Sequence, residues 1–578
     1  MASPSSLPQP PGLKRRRYLP VLFLLSSYYG VVAALSSSTS SSPSASASSS
    51  SNSNSSKSPP EIYYLQRYHP ERTPSETLQY LSEQCIKLGV DTFDVYGDFG
   101  TYGNVKSSTT TTKRSSKSSR IKPSTSSSAV ASSSTPPSSS SSSYLRKFEQ
   151  IVANEFQKED AVFMPSGVMA QSIALLIHSK KTKSTTRSNE DRPPDNKNEA
   201  NNFFACHYTS HLLLHEQDGY GELCNMIPIV LGKDDNNELD NKDSTSSIHC
   251  PPLGVSHVQS SMKDNEVWKN GQVSTLILEL PHRELGGKLT PYNDILEMSK
   301  LLKKHNVAFH CDGARIFEAY AGYTTSNDNK SSSSPLTTAP PKSMSELVKP
   351  FDSIYISFYK GLGGISGAML LGTTEFCNEA RIWLRRFGGN LYTLLPYVIS
   401  GWSGYQTYYE YPEENKERLL LKQQRQLNDN GSINQDDERI LTFGEKRNKL
   451  TRIVTAITES AELAAADASS SSSSRSPVIT FDPPIPEVNM IHMYFRASLD
   501  DCNRIRDDIQ NKFGIRLFER IRSLDPTSSA STTTMLESEK RAIRAGYQCK
   551  LELTIGQSNG CIPDDIFIKG WTEFCNSF

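Results

Sequence analysis

Two short apolar runs, each closed by one charged residue, constrain this chain more than any other feature. The first, VAFHCDGARIF, has a strand-like stretch from Val307 to His310, then Asp312 and Arg315 on either side of Gly313. The second, FDSIYISFYKGLGG, has a β-branched and aromatic stretch from Ser353 to Phe358, then Lys360 and a glycine-rich turn at Gly361, Gly363 and Gly364. In an open α/β sheet, ligands sit at the carboxyl ends of the strands. A lysine able to form a Schiff base, and an acid able to pair with a protonated ring nitrogen, are the parts needed to hold pyridoxal phosphate (PLP).

The segments around these runs alternate. A helix is expected over Glu76–Leu88, with Leu78, Leu81 and Ile86 among its apolar positions. Leu145, Phe148, Ile151, Val152 and Phe156 fall on one face of a second helix. A short strand, Ala161–Met164, leads through Pro165-Ser166-Gly167 into an apolar helix, Val168–Ile177. Such a turn aims free backbone N–H groups at an anion, although many turns of this kind are plain helix caps. Leu276–Leu280 reads as a strand, and Ile295, Met298, Leu301 and Leu302 as a helix face. Strand–helix–strand alternation predicts a mainly parallel sheet covered by helices. Strands at Met490–Phe495 and Leu551–Ile555, with helices at Cys502–Phe513 and Asp564–Phe574, predict a second, smaller α/β layer.

By length alone 578 residues would make about three to four domains, but Ser-rich filler inflates that count. Lys106–Ser143 is nearly all Ser and Thr with Lys and Arg, too poor in apolar surface to fold. Polar stretches at Lys180–Asn201, Lys233–Ser247, Thr324–Lys342, Gln424–Asp437, Ser469–Ser476 and Asp525–Ser538 read as disordered loop inserts on one catalytic body. The expected organisation is a leader over 1–58, an N-terminal segment of the body over 59–105, an insert over 106–143, a large domain over 144–410, and a helical connector with a small domain over 411–578. Lys+Arg and Asp+Glu balance at 62 each, so net charge gives no footprint for nucleic acid. Ten cysteines without a CxxC pair read as ordinary thiols, with one or two disulfides as the alternative.

The leader combines a basic segment, Lys14–Arg17, a largely apolar Leu19–Leu35, small residues at Val32, Ala33 and Ala34, and a Ser-rich stretch from Ser36 to Pro60 without acids. It reads as entry to the secretory pathway followed by a plastid-type transit segment. Plain secretion is one alternative. An uncleaved membrane anchor is another, since the apolar stretch is close to the ~17-residue lower limit for spanning.

Six motifs now stand in order: VYGD (Val95–Asp98), AVFMPSGVMAQ (Ala161–Gln171), HLLLHEQ (His211–Gln217), LELPHRELGG (Leu278–Gly287), HCDGARIF (His310–Phe317) and SFYKGLGG (Ser357–Gly364). Together they resemble the threonine aldolase / aromatic amino acid β-eliminating lyase family of PLP-dependent enzymes. The resemblance implies fold type I, a large domain with a mainly parallel sheet plus a smaller C-terminal α/β domain, and an active site at the interface of a homodimer or homotetramer. It implies Lys360 as the Schiff-base lysine, Asp312 as partner of the pyridine nitrogen, and Arg315 near cofactor and substrate carboxylate, where a guanidinium fork binds in bidentate fashion. Read structurally, Arg315 would instead pair with Asp312. Ser166, Gly167 and Val168 match the phosphate turn, with Ser357 a further donor. His211 matches a histidine that stacks on the cofactor ring. His282 matches a second histidine near the substrate hydroxyl, a candidate base; Glu279, a substrate-side residue by the same resemblance, would orient it or the ring. His215, one helical turn after His211, is a further substrate-side candidate; read as an i,i+4 metal pair, the two histidines lack a third ligand.

Several positions depart from the family pattern. Val168 stands where a threonine is usual, Gln171 where asparagine is common, and Tyr359 where serine precedes the lysine. The family's N-terminal Asp-Thr segment and its late carboxylate-gripping arginine are not evident; the late strand reads YQCKLELTIG, with Lys550 and Glu552. With FGGNLYTLLPY (Phe387–Tyr397) these features suggest a divergent branch. The expected activity is aldol cleavage of L-threonine, L-allo-threonine or a related amino acid to glycine and an aldehyde. The alternatives are β-elimination to a keto acid and ammonia, other PLP chemistry on the same fold, and a catalytically inactive PLP-fold protein.

Overall fold

The structure, a computed structural model, describes residues 62–90, 143–185, 202–233, 248–325, 339–410, 440–467, 476–525 and 535–578. The leader, the VYGD motif and most of each insert lie outside these residues. The described chain opens on a two-residue strand, β1 (Tyr63–Tyr64), which pairs in parallel with β11 (Ile515–Arg516). β1 is therefore tied to the C-terminal part of the chain, whereas Leu81, Cys85 and Leu88 of the helix that follows pack on the large domain with Leu395 and Ile399.

The large sheet holds β2 (Asp160–Met164), β3 (Phe203–His207), β4 (Ile227–Leu231), β5 (Val273–Glu279), β6 (Ala308–Gly313), β7 (Ser353–Ser357) and β8 (Ala368–Gly372). Its order is β2-β8-β7-β6-β5-β3-β4. β8 runs antiparallel to both its neighbours, so the other strands share one direction and present their carboxyl ends along one edge. Every residue of β2, β5, β7 and β8 is buried. Cover on both faces is why these strands read as continuous apolar runs. The run starting at Val307 extends further than its apolar part suggests: β6 continues through Asp312 to Gly313, which puts the carboxylate on the strand itself.

A buried polar chain fixes the strands beneath the site. His310 Nδ1 bonds Ser353 Oγ at 2.7 Å and its Nε2 bonds Gln171 Oε1 at 2.8 Å, while His178 Nε2 reaches the same Ser353 Oγ at 2.7 Å. Gln171 thus serves the interior. The helix that carries it, Gly167–Thr185, runs past Ile177 into the stretch read as an insert.

The smaller sheet has β9 (Ile479–Asp482), β10 (Met490–Phe495), β12 (Arg522–Ser523) and β13 (Cys549–Thr554), in the antiparallel order β12-β13-β10-β9. Helices Leu499–Phe513 and Asp564–Cys575 close its core with Met493, Phe495, Leu553, Phe567 and Trp571. The long helix Phe443–Asp467 spans both cores: Phe443 packs with the large one, Leu450, Ile453 and Ile457 with the small one. Lys446 is held between them.

The first helix, Pro74–Leu88, begins with a capping box from Thr73 and Glu76 and stops at Gly89 in the left-handed conformation, φ +64°. Its apolar face is not where the periodicity puts it. Leu78 and Ile86 are 69% and 79% exposed, and Gln84 is the buried residue, accepting from Ser403 Oγ at 2.5 Å. None of the ten cysteines is in a disulfide. Among the described residues, no helix is long and apolar enough to cross a membrane.

Candidate active site

The common edge of the large sheet gathers most of the expected residues, each within a few positions of a strand end. β2 delivers Ser166 and Gly167, β3 His211, β5 Glu279, β6 Asp312 and Arg315, and β7 Ser357 and Lys360. Asp312 lies opposite Glu279 on one side and Tyr355 on the other in the strand register. Its buried carboxylate takes one hydrogen bond, from the Ala314 N–H at 3.1 Å. Burial raises its pKa; the charges of His211 and Lys360 and that hydrogen bond pull the other way. A cation placed against Asp312 would therefore be strongly favoured.

Lys360 is half-buried three residues beyond β7. Burial, then the nearby charges of Arg315 and Arg283, lower its pKa to about 8 against the pull of Asp312 and Glu552. The glycines after it allow the turn: Gly363 has φ +65°, and a Cβ on Gly361 would lie 2.2 Å from Glu318 Oε1. Arg315 does not pair with Asp312. It faces Glu552 of β13 at 3.9 Å, and Arg283 holds the same carboxylate at 3.0 Å. Lys550 is spent elsewhere, on Glu539 at 3.2 Å and Glu284 at 3.7 Å. A carboxylate, Glu552, thus stands beside Arg315 where the family pattern leads one to look for an arginine.

The histidines separate sharply. His211 begins the short helix His211–Leu214; its N–H donates to Glu279 Oε2 at 3.1 Å, and its Nδ1 lies 3.1 Å from Glu216 Oε1. Burial disfavours its cation, but Glu216, Asp312 and Glu279 outweigh burial and raise its pKa. Glu279 is a positioning residue: its other oxygen accepts from the Arg283 N–H at 3.0 Å, so both oxygens fasten loops and neither is free for substrate. His215 turns away to Glu284, at 2.9 Å. His282 is fully buried; its Nε2 accepts from the Leu253 N–H at 3.3 Å, and its ring packs edge-on against His207 at 5.0 Å. Burial and the Lys288 charge lower its pKa to about 3. The assignments of His282 as base and of Glu279 and His215 to substrate are therefore corrected: interior packing, backbone caps and an ion pair occupy those side chains.

Lys360 and Arg315 open onto a cavity of ≈ 150 Å³ that sequence reasoning did not anticipate. The N-terminal segment contributes Tyr68, His69, Arg72, Gln84 and Lys87; the large domain adds Glu318, Ser403 and Tyr408; the long helix adds Lys446; the C-terminal part adds Asn489, Thr554 and Gln557. The one signal available was the clustering of RYHPER just ahead of a capped helix.

The amino-acid sequence matches the β-eliminating lyase family over residues 138–472. The chain belongs to that family. It is 22% identical over 246 residues to low-specificity L-threonine aldolase 1 of Arabidopsis thaliana, covering 43% of this chain and 55% of that protein. It is 25% identical over 234 residues to the low-specificity L-threonine aldolase of Escherichia coli K12, covering 40% and 54%. The chain spans about half the length of the curated relatives it matches. Two solved structures share its fold. One is assigned as an aromatic amino acid β-eliminating lyase/threonine aldolase from Exiguobacterium sp. 255-15: TM-score 0.50, 25% identity, 75% of this chain and 87% of that one. The other is assigned as an L-allo-threonine aldolase from Listeria monocytogenes: TM-score 0.51, 24% identity, 89% and 95%.

The β-eliminating lyase fold uses PLP, and the residues here fit that group. Ser357 Oγ is buried at the end of β7, beside Tyr355, and makes no hydrogen bond of good geometry among the described residues. The N–H groups of Gly167 and Val168 open the helix Gly167–Thr185, and no hydrogen bond to either is formed among the described residues. A Cβ on Gly167 would lie 2.0 Å from the Tyr355 hydroxyl, so the turn admits no larger residue. Val168, 40% exposed, adds no hydroxyl, so the backbone N–H groups and Ser357 are the donors that would meet a phosphate.

Proposed function

We propose that the protein is a PLP-dependent lyase that cleaves L-threonine, L-allo-threonine or a related β-hydroxy-α-amino acid to glycine and an aldehyde. The observation that carries the reading is the meeting of Lys360, Asp312 and Arg315 at two neighbouring strand ends, with Lys360 and Arg315 on one cavity. Lys360, Asp312, Ser357, His211 and the turn Ser166–Val168 would hold PLP, which supplies an electron sink to a carbon losing a substituent. Arg315 grips the substrate carboxylate through its planar fork and so fixes which bond at Cα is aligned for cleavage. Lys360, with a pKa of about 8, is partly unprotonated near neutrality and can give way to the substrate amine. His211 Nδ1 is tied to Glu216, leaving Nε2 to accept the β-hydroxyl proton directly or through one water.

β-Elimination is a second reading, favoured by the same lowered Lys360 pKa, since a free amine at the site can take a proton from Cα. Product analysis separates the two. The purified protein, supplied with PLP, is incubated with L-threonine and with L-allo-threonine beside a Lys360→Ala control. Aldehyde and glycine, lost in the control, are the expected products; keto acid and ammonia would move the assignment to β-elimination. A protein that takes up no PLP would overturn both.

The protein is further read as a homodimer or homotetramer. Val168, Ile365 and Tyr392 are 40%, 41% and 63% exposed on segments near the cofactor turn, an apolar surface suited to a second copy; light scattering of the purified protein tests this. Residues 1–58 are read as a leader for secretory entry with a plastid destination. Secretion and membrane anchoring would show as other patterns of a full-length fluorescent fusion.

A further inference from the structure

The cavity beside Lys360 is built for more negative charge than one α-amino acid brings. Apart from Lys360, which the cofactor would occupy, its lining includes four cations, Arg72, Lys87, Arg315 and Lys446, against one carboxylate, Glu318. Glu318 offsets one of these, and the α-carboxylate of a substrate offsets another. Arg72 and Lys87 lie at the exposed rim, where water screens them. Lys446 is different. It is 1% exposed, and its Nζ lies 4.9 Å from the Phe443 ring centre and 5.0 Å from that of Tyr408. Among the described residues it forms no ion pair; burial disfavours its cation, and the charge of Glu318 is the largest influence in its favour. A buried ammonium with two ring faces and no carboxylate in ion-pair contact, only the longer-range pull of Glu318, favours an incoming anion.

Two further features point the same way. His69 sits between these groups: burial first, then the charges of Lys446, Arg315, Arg72 and Lys360, lower its pKa to about 4, so it is a neutral hydrogen-bonding group at the centre of a positive field. And no Val, Leu, Ile, Met, Phe or Trp side chain lines the cavity. The methyl group of threonine would meet only tyrosine rings, Pro70, glycines and polar groups there.

We propose that this cavity binds a second anionic group on the substrate, so that the preferred substrate is a β-hydroxy-α-amino acid whose side chain ends in a carboxylate or a phosphate. Lys446 is the buried anchor of that subsite and Arg72 its rim partner; Arg315 remains for the α-carboxylate. The inference rests on the lyase reading for its chemistry, but the subsite itself is a binding property and is measured separately.

The test uses the full chain loaded with PLP. Calorimetry with succinate and with inorganic phosphate, unreactive probes of the two anion types, gives binding constants for the native protein, Lys446→Met and Arg72→Gln. Turnover is compared for β-hydroxyaspartate, 4-phosphohydroxythreonine and threonine. The expected result is a kcat/KM for one of the anionic substrates about tenfold or more above that for threonine, the scale of one charge-assisted hydrogen bond. That ratio should collapse in Lys446→Met and shrink in Arg72→Gln. If Lys446→Met does not fold, Arg72→Gln, at an exposed position, still decides. Anion binding that depends on these residues without cleavage of any substrate supports the subsite and sinks the lyase reading. Threonine cleaved at least as well as both anionic substrates, with no probe binding, overturns the subsite and leaves the lyase standing.

Discussion

The two walls of the active site differ in how they are held. One wall is the edge of the large sheet, where Asp312 and Ser357 lie at the ends of strands and Ser166, His211 and Lys360 follow a strand by at most a few residues. The other wall, with His69, Arg72, Gln84, Lys446 and Gln557, comes from segments that share no strand and meet only through long-range packing. A sheet fixes the spacing of its strand ends, so the first wall can be placed from local patterns alone. The second wall depends on β1 pairing with β11, on the first helix packing against Leu395 and Ile399, and on the long helix from Phe443 bridging the two cores. Chemistry common to the fold belongs on the first wall, and substrate choice on the second.

The sharpest way to break this division is to remove one histidine from each environment. His211→Asn should lower kcat roughly 10²-fold, the scale of a lost general base, while the protein stays folded. His282→Ala should do the reverse. It strands the buried Leu253 N–H and should cost about 1–3 kcal/mol of stability, seen as a lower denaturation midpoint, with turnover retained by the folded fraction. Equal catalytic losses in both would restore His282 to the site.

The electrostatics of the lysine give a second contrast. In the cofactor-free protein, Lys360 should react with an amine-directed reagent with a midpoint near pH 8 in place of 10.5, followed by peptide mapping. Its amine is protonated and inert below that midpoint, and free above it. Arg315→Ala should move the midpoint upward, because a neighbouring positive charge that disfavours the ammonium has gone. An unmoved midpoint would mean that burial alone sets the value.

Glu552 tests the border between the walls. Glu552→Gln removes a carboxylate standing 3.9 Å from Arg315. The KM for an α-amino acid substrate should then fall about threefold, a modest effect because the pair is loose and partly hydrated. A rise in KM would show that Glu552 positions Arg315 and does not compete for it.

The fold was largely legible in the sequence. Apolar runs located β2, β5, β6, β7, β10 and β13, and strand–helix alternation gave the parallel sheet and the smaller layer. What periodicity misplaced was the first helix, where Gln84 is buried and Leu78 exposed because that helix lines a polar cavity. The strands β3, β4 and β8 were not singled out: β3 and β4 are five-residue stretches between polar inserts, and β8 follows the glycine turn directly. At the site, residues at a strand end or up to four positions past it were readable. His282 was not, because motif position cannot tell a histidine facing substrate from one whose nitrogen caps a backbone N–H in the interior. Lys446 carried no local signal, since its burial is created by a helix spanning two cores.

The central claim is that Lys360, and not Lys446, the buried lysine on the same cavity, holds the cofactor. Burial lowers the pKa of Lys446 to about 8 as well, so reactivity alone does not separate the two. The direct measurement is borohydride reduction of the PLP-loaded protein followed by mass mapping of the labelled peptide. The account predicts the pyridoxyl mass on the peptide carrying Lys360, next to the strand that ends at Ser357. A label on Lys446 would contradict it and move the reacting centre to the opposite wall.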